Sequence, residues 1–406
     1  MHTHRAPASK QQRTTQRGAA LLIMLVIMVT GVSAVLVNSL SSSTVKMAQQ
    51  QNTTAALAQA KEALISYAVA YGDTHSNQVN GYLPCPDTDI LPEGSSTTSC
   101  GNKNVSIIGR LPWRTLDLSA LRDGNDECLW YAVSGTYKSM SKTDWMNWDT
   151  NGQLRVYAPD GTLLTQPDNQ VVAIIFAPGP TLPGQDRSAG TTAPVCGGNY
   201  TVANYLDNDT LHTYNNTDIA TGEFIQPHTH RDANNHIILT INDQMAYITR
   251  QDIWNAVKKR SDFHTSITHL LNVAKLCAAL PVSVNFDAVP PTESLGVTVG
   301  SLVIGRVPKA CLASPLDNWQ DNLLYAKCIT GNCINSGSCK GGVIFSGERI
   351  AYQNRIANSD KNTWNYYLEN IPSTTLSAFS TGGTTFSGTS TYLPASSSTD
   401  LLVCIP

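Results

Sequence analysis

A charge-free stretch near the N-terminus limits the fold of this sequence more than any other feature. Residues 1–17 are polar and carry four basic side chains, and no charged residue follows from Gly18 to Val45. Its apolar centre, residues 19–40, is long enough for a helix to cross roughly 30 Å of hydrocarbon. The sequence therefore predicts a transmembrane helix, with the basic tail in the cytoplasm and the remaining chain exported. The predicted anchoring side chains are Leu21, Leu22, Ile23, Leu25, Val26, Ile27 and Val29.

The following segment, residues 41–72, can continue this helix because it contains no Pro and no Gly before Gly72. Apolar side chains recur in it at steps of three and four residues, which predicts one stripe able to pack against a sheet. An unbroken helix from Ala19 to Tyr71 would be about 80 Å long. The stripe consists of Ala56, Ala60, Leu64, Tyr67 and Tyr71.

The stretch from Gln16 to Gly31, QRGAALLIMLVIMVTG, resembles the prepilin-type leaders of type IV pilins and type II secretion pseudopilins. The resemblance covers about the first 70 residues. It implies cleavage by a prepilin peptidase between Gly18 and Ala19, methylation of the new N-terminus, and packing of the helix against other pilin or pseudopilin subunits. Ala19 and Ile23 depart from the family, which usually has Phe and Glu there, and this departure implies a minor or tip subunit.

Two alternatives to prepilin processing remain open. An ordinary signal peptidase could use the small residues Val32-Ser33-Ala34 and cut after Ala34, or the segment could stay uncleaved as a simple anchor. Either would leave a membrane-anchored or exported periplasmic binding protein or enzyme of unknown activity.

The rest of the chain predicts a head of short strands divided by Gly, Pro, Asn and Asp. Val171–Gly179 and Gly341–Arg355 are the clearest strand segments, and the first predicts a buried strand. Short motifs recur in the same order in both halves, as in IGRLP and IGRVP, LWYA and LLYA, and NYLDN and YYLEN. An internal duplication would explain this order.

The fold class that we expect is α+β, with a long N-terminal helix and a head of antiparallel sheet in two similar lobes. A helix over residues 253–280 would begin the second lobe, with Ile253, Val257, Phe263, Ile267, Leu270, Leu271 and Ala274 buried. The predicted domains are a leader at 1–18, the membrane helix at 19–40, its periplasmic continuation at 41–72, and lobes at 73–250 and 251–406.

Cysteine content and charge limit the compartment and the partners. An even number of cysteines in an exported chain predicts disulfides, although their connectivity cannot be derived from the sequence. A net charge of −3, without a clustered basic stripe beyond the first residues, argues against a nucleic-acid partner. The cysteines are Cys85, Cys100, Cys128, Cys196, Cys277, Cys311, Cys328, Cys333, Cys339 and Cys404.

Two groups of residues are candidates for metal binding. Oxygen ligands at Asp87, Asp89, Asp123 and Asp126 suit Ca²⁺, although no EF-hand spacing is present and acidic residues also favour turns. The segment PHTHRDANNH offers His228, His230 and His236 to Zn²⁺ or Cu²⁺, and a polar surface loop explains it equally well. No cofactor is expected beyond these.

No sequence motif favours an enzyme, because GxSxG, HExxH, GxGxxG and the Walker pattern are all absent. Aromatic residues crowd between Trp113 and Trp148, where they could form a contact face for carbohydrate or protein, or pack into the core. We therefore expect a non-enzymatic minor pilin or pseudopilin, in the inner membrane with its head in the periplasm, that assembles into a pilus or pseudopilus.

Overall fold

The structure, a computed structural model, divides the chain into two compact units, Met1–Asn52 and Thr53–Pro406. It describes residues 17–88, 92–98, 100–139, 146–190, 193–277, 297–334, 337–350, 353–356, 358–361, 364–368, 390, 392–393 and 400–405.

Four α-helices occur among the described residues, and the first is by far the longest. They are α1 (Arg17–Thr74), α2 (Arg250–Lys258), α3 (Phe263–Lys275) and α4 (Asn358–Lys361). Short 3-10 turns lie at Pro167–Asn169, Val202–Asn204, Lys309–Cys311, Leu316–Asn322 and Trp364–Tyr367.

The prediction of a membrane-spanning helix is wrong for the part of the chain that the structure describes, where no helix combines the length and the apolar character that a bilayer requires. Crossing the hydrocarbon takes about 20 consecutive apolar residues. Within residues 19–40, the described side chains are only the six from Met24 to Val29, all exposed, and the helix from Ser43 onward carries Lys46, Lys61 and Glu62. The single-pass inner-membrane location depended on this helix and is corrected with it.

Of the predicted anchoring residues, Leu25, Val26, Ile27 and Val29 are between 52% and 64% exposed. The side chains of Leu21, Leu22 and Ile23 lie outside the described part of the chain, as do those of Gly18 and Ala19, whose backbone belongs to α1.

Beyond α1 the described chain is mostly sheet, divided among several small sheets. The largest have the orders β1-β2-β4-β10 and β11-β12-β13-β14-β15, and all their neighbouring strands are antiparallel. Three two-stranded sheets add β5-β6, β8-β9 and the parallel pair β3-β7. The strands are β1 (Ile107–Arg110), β2 (Trp130–Val133), β3 (Arg155–Tyr157), β4 (Val171–Ala177), β5 (Asn208–Asp209), β6 (Tyr214–Asn215), β7 (Glu223–Ile225), β8 (His228–Arg231), β9 (Ile237–Ile241), β10 (Gln244–Thr249), β11 (Val297–Val299), β12 (Leu302–Arg306), β13 (Leu323–Cys328), β14 (Gly341–Phe345) and β15 (Leu401–Ile405).

Of the stripe predicted on α1, Ala56, Ala60, Leu64 and Tyr71 are buried and Tyr67 is half-buried. Ala60, Leu64 and Ala68 are fully buried, and they share a core with Tyr131 and Val133 on one face of the first sheet. The alternate residues of the same strands, such as Trp130 and Phe176, pack in a separate cluster on the other face. Successive side chains of a strand point to opposite faces, and both faces of β4 are covered by a core cluster. β4 is therefore buried along its whole length.

The two large sheets share one central core within the compact unit Thr53–Pro406. Val303, Tyr325 and Phe345 of the second sheet belong to the same core cluster as α1, α2, α3 and the first sheet. For the described residues, the fold class is therefore corrected to several small sheets with α1, α2 and α3 around a common core, and no membrane-spanning helix is found among them. The repeated motifs IGR, in β1 and β12, and WYA and LYA, in β2 and β13, occupy equivalent strands of the two sheets.

The helix predicted over residues 253–280 is interrupted, and α2 and α3 are separated by residues 259–262. Thr249 caps α2 through a reciprocal pair of hydrogen bonds with Asp252, and the break before α3 contains Ser261 and Asp262, which favour turns and caps. The apolar positions predicted to be buried are all buried, from Ile253 to Ala274.

All ten cysteines form disulfides, which fits the oxidising compartment that the sequence predicts. The pairs are Cys85–Cys100, Cys128–Cys196, Cys277–Cys311, Cys328–Cys333 and Cys339–Cys404.

Candidate metal centre

The connection between β4 and β10, residues 178–243, brings four potential metal ligands together. β4 and β10 are hydrogen-bonded neighbours, with Ala177 opposite Gln244, so the first sheet holds the two ends of this connection side by side. The ligands lie on its two small hairpins, β5-β6 and β8-β9.

The hairpin β5-β6 positions a buried carboxylate, that of Asp209. Its Oδ1 accepts hydrogen bonds from the backbone N–H groups of Leu211 at 3.0 Å and His212 at 3.2 Å, so the side chain stabilises its own turn. The other oxygen, Oδ2, accepts a hydrogen bond from Nδ1 of His212 at 3.0 Å. The sequence DTLH thus supplies two ligands from one turn.

The strand β8 supplies two imidazoles on one face. His228 and His230 are two residues apart and point inward, whereas the intervening Thr229 and the following Arg231 are exposed. Nδ1 of His228 lies 2.7 Å from the backbone oxygen of Gln226, which is an acceptor only, so Nδ1 donates its proton there. In the neutral tautomer that carries this proton, the lone pair is on Nε2, which is the arrangement found in metal-binding histidines.

The four donor atoms converge on a small volume. Nε2 of His228 lies 3.0 Å, and Nε2 of His230 lies 3.2 Å, from Oδ2 of Asp209. The two Nε2 atoms are 2.8 Å apart, and all four donors, including Nδ1 of His212, lie within 4.8 Å of one another. A tetrahedral ion with bonds of about 2.0–2.1 Å places its donors roughly 3.3 Å apart, close to the separations seen from Oδ2.

The carboxylate at the centre of the cluster is held in its charged form. Burial by itself raises the pKa of Asp209, but hydrogen bonds from His212, His230 and two backbone N–H groups outweigh it and lower the pKa to about 2. The Asp209 side chain is fully buried, whereas those of His228, His230 and His212 are 8%, 18% and 47% exposed. A buried carboxylate beside partly exposed imidazoles is an arrangement that suits a cation.

Beneath the cluster, a buried polar network fixes the position of β5. Asn216 exchanges two hydrogen bonds with the backbone of Ile225 and donates a third to Asp243. Asp243 also accepts from the backbone N–H of Asp207, two residues before the ligand Asp209. Burial raises the pKa of Asp207 to about 6 and that of Asp243 well above its ordinary value, where the charge of Asp207 adds to the effect.

The sequence analysis identified part of this cluster. The structure brings His228 and His230 together, but His236 lies in the turn beyond, where its side chain is 76% exposed and contacts Asp232 at 3.1 Å. Asp209 and His212 were missed as ligands. The DxxH spacing was available as a signal, but nothing in the sequence indicated that this turn would face β8.

The described calcium candidates have other partners in the structure. Oδ2 of Asp87 accepts from the backbone of Gly94 and from the hydroxyl of Tyr200, and burial raises the pKa of this carboxyl. Both carboxylate oxygens of Asp123 accept hydrogen bonds from backbone N–H groups. Asp126 is exposed and lies 3.5 Å from Arg122, and Asp89 lies outside the described residues.

The aromatic residues of the segment 113–148 contribute mainly to the core. Trp130, Tyr131, Tyr137 and Trp148 are at most 1% exposed, and Trp113 is half-buried. Trp145 lies outside the described residues. The four buried rings are therefore unavailable for the contact face that the sequence suggested.

Comparisons with protein-family models, with curated proteins and with solved structures find no match for this chain.

Proposed function

We propose that this protein binds one divalent transition-metal ion, best fitted by Zn²⁺, through Asp209, His212, His228 and His230. The observation that carries the proposal is the convergence of three imidazole nitrogens and one buried carboxylate oxygen within 4.8 Å. Imidazole and carboxylate are ordinary zinc ligands, and four of them complete a tetrahedral shell.

The composition of the site favours particular ions. Imidazole nitrogens suit Zn²⁺, Cu²⁺ and Ni²⁺, whereas Ca²⁺ and Mg²⁺ prefer six or more oxygen ligands, of which this site offers few. Thiolates cannot compete, because all ten cysteines are in disulfides. The three separations measured from Oδ2 of Asp209, 3.0, 3.0 and 3.2 Å, are close to the tetrahedral value, and this supports Zn²⁺ as the first ion to test.

The number of protein ligands supports a structural role. Catalytic zinc sites usually have three protein ligands and one open position for water, whereas structural sites are closed by four. Here Asp209 and three histidines would fill the shell. That the protein is not an enzyme stays a prediction from the absence of catalytic motifs.

The test is metal binding by the full-length, disulfide-intact protein after removal of metal with a chelator. Titration calorimetry and elemental analysis should find one zinc ion per chain. Asp209→Ala should weaken binding by roughly 100-fold or more, because loss of a second-shell partner alone costs 10–100-fold. His236→Ala is the matched control, since His236 is exposed and outside the cluster. Absence of zinc binding, or equal binding by both variants, would refute the proposal.

The role as a minor pilin or pseudopilin stays a prediction, as do its partners, other pilin subunits and the prepilin peptidase. It rests on the leader-like residues around Gly18 and Ala19. The mature N-terminus from the native host would test it: a methylated Ala19 would support prepilin processing, and a start at Val35 or Met1 would exclude it.

A further inference from the structure

The hairpin β8-β9, residues 228–241, has little apolar packing of its own. The inward-facing side chains of β8 are His228 and His230, both polar. On β9, Ile237 and Ile238 are 57% and 56% exposed, and only the last residue of the strand, Ile241, is buried. An isolated two-stranded hairpin is marginally stable at best in water, so this one depends on contacts with its neighbours.

The neighbouring hairpin β5-β6 is smaller still, with two paired residues in each strand. Its turn exposes Leu211 to 51%. β5 contacts β8 through the carboxylate of Asp209, which lies against both inward-facing imidazoles. The attachment of β8 to β5 therefore runs through the same atoms that form the candidate metal site.

The base of the same connection is held independently of those atoms. Asp207 accepts hydrogen bonds from the backbone of Asn242 and the side chain of Gln185, and Asp243 accepts from Asn216. The disulfide Cys128–Cys196 ties an earlier part of the connection to the residues before β2. These contacts can persist when the ligands of the metal site separate.

We propose that the bound ion is a local clasp: it fastens hairpin β8-β9 to β5-β6, and without it residues 228–241 open while the two large sheets remain folded. This inference rests on the function proposed above. An ion that binds the closed hairpin and not the open one shifts this equilibrium by about 100-fold when its free concentration is 100 times the dissociation constant. Local openings of this kind control the exchange of backbone amide hydrogens.

Hydrogen exchange of the full-length protein, followed by mass spectrometry, tests the clasp. Wild-type protein is compared after chelator treatment and with zinc at about 100 times the dissociation constant measured by calorimetry. Exchange in peptides covering residues 226–241 should slow by up to about 100-fold with zinc. Exchange in peptides covering β4, residues 171–177, should not change.

Two variants separate the ligands from the rest of the hairpin. Asp209→Ala should abolish the effect of zinc on residues 226–241, and His236→Ala, a change in the same hairpin outside the cluster, should retain it. If Asp209→Ala also exposes β4 to exchange, the variant is globally unstable and the wild-type comparison with and without chelator decides alone.

The possible results are distinct. Zinc binding with faster exchange of residues 226–241 in the chelated protein supports the clasp. Zinc binding without that change, or with equal slowing in β4, overturns the clasp and leaves the binding site standing. Failure of the wild-type protein to bind zinc overturns the proposed function and the clasp together.

Discussion

Two aspartate–arginine pairs with the same separation should differ sharply in their contribution to stability, because only one is buried. Oδ1 of Asp149 lies 3.5 Å from Nε of Arg349, and the two side chains are 0% and 3% exposed. Oδ1 of Asp126 lies 3.5 Å from Nε of Arg122, but the Asp126 side chain is 86% exposed. The pairs are therefore matched in chemistry and distance and differ in burial.

The expected loss in the free energy of unfolding depends on which charges remain without a partner when the carboxylate is neutralised. Asp149 also lies 3.4 Å from Nε of the fully buried Arg355 and accepts a hydrogen bond from Asn322 at 3.0 Å. Removal of one partner of a buried pair costs about 3–5 kcal/mol, because the remaining charge is buried and uncompensated. Asp149→Asn keeps an oxygen for Asn322, so we expect a loss near 3 kcal/mol in the free energy of unfolding.

The matched change at the surface, Asp126→Asn, should cost about 0–1 kcal/mol, because exposed ion pairs are weak. Asparagine also tolerates the left-handed backbone of Asp126, whose φ is +67°. Urea denaturation under non-reducing conditions, followed by circular dichroism, measures the unfolding free energy of both variants. Values for the two variants that agree within about 0.5 kcal/mol would refute the argument that burial of the Asp149 network controls its contribution.

Three further changes test the core, a disulfide and a buried acid. Leu64→Ala should destabilise the protein by about 2–5 kcal/mol, since Leu64 is fully buried, whereas Ser66→Ala on the exposed face of α1 should stay within about 0.5 kcal/mol in the same denaturation assay. Replacing both cysteines of Cys339–Cys404, which are 65 residues apart, by serine should cost about 4 kcal/mol of unfolding free energy and release β15 first in hydrogen exchange. Burial raises the pKa of Asp243, so its contribution to stability is fully present below its unfolded pKa of about 4 and is lost as the pH rises toward its folded pKa. Asp243→Asn should therefore flatten the decline in stability above pH 4, and an unchanged pH profile would contradict this.

The buried arginines show how far sequence correspondence extends into the structure. Arg110 of β1 and Arg306 of β12, from the repeated IGR motif, lie over Tyr205 and Tyr367, with guanidinium-to-ring distances of 5.4 and 4.8 Å. Arg187 and Arg355 lie over the same two rings. Cation–π contacts that repeat at equivalent positions give the recurrent motifs a structural reason.

The sequence by itself determined the elements whose signal is local. The buried stripe of α1 and the continuous apolar run of β4 follow from periodicity over a few residues, and the cysteine count predicted an oxidised head. The predicted membrane span is not found in the described part of the chain, and a charge-free run by itself does not determine whether a helix lies in a bilayer.

Only the tertiary structure decided the candidate metal site and the common core. Asp209 and His230 are 21 residues apart in the sequence, and their contact depends on how two short hairpins meet, which no local pattern encodes. Asp87 and Asp123 are acidic loop residues like Asp209, but in the folded chain Asp87 accepts from Gly94 and Tyr200 and Asp123 accepts from backbone N–H groups. Three imidazoles lie at Oδ2 of Asp209 instead. A carboxylate's role depends on which donors the fold brings to it, and those donors are distant in the sequence.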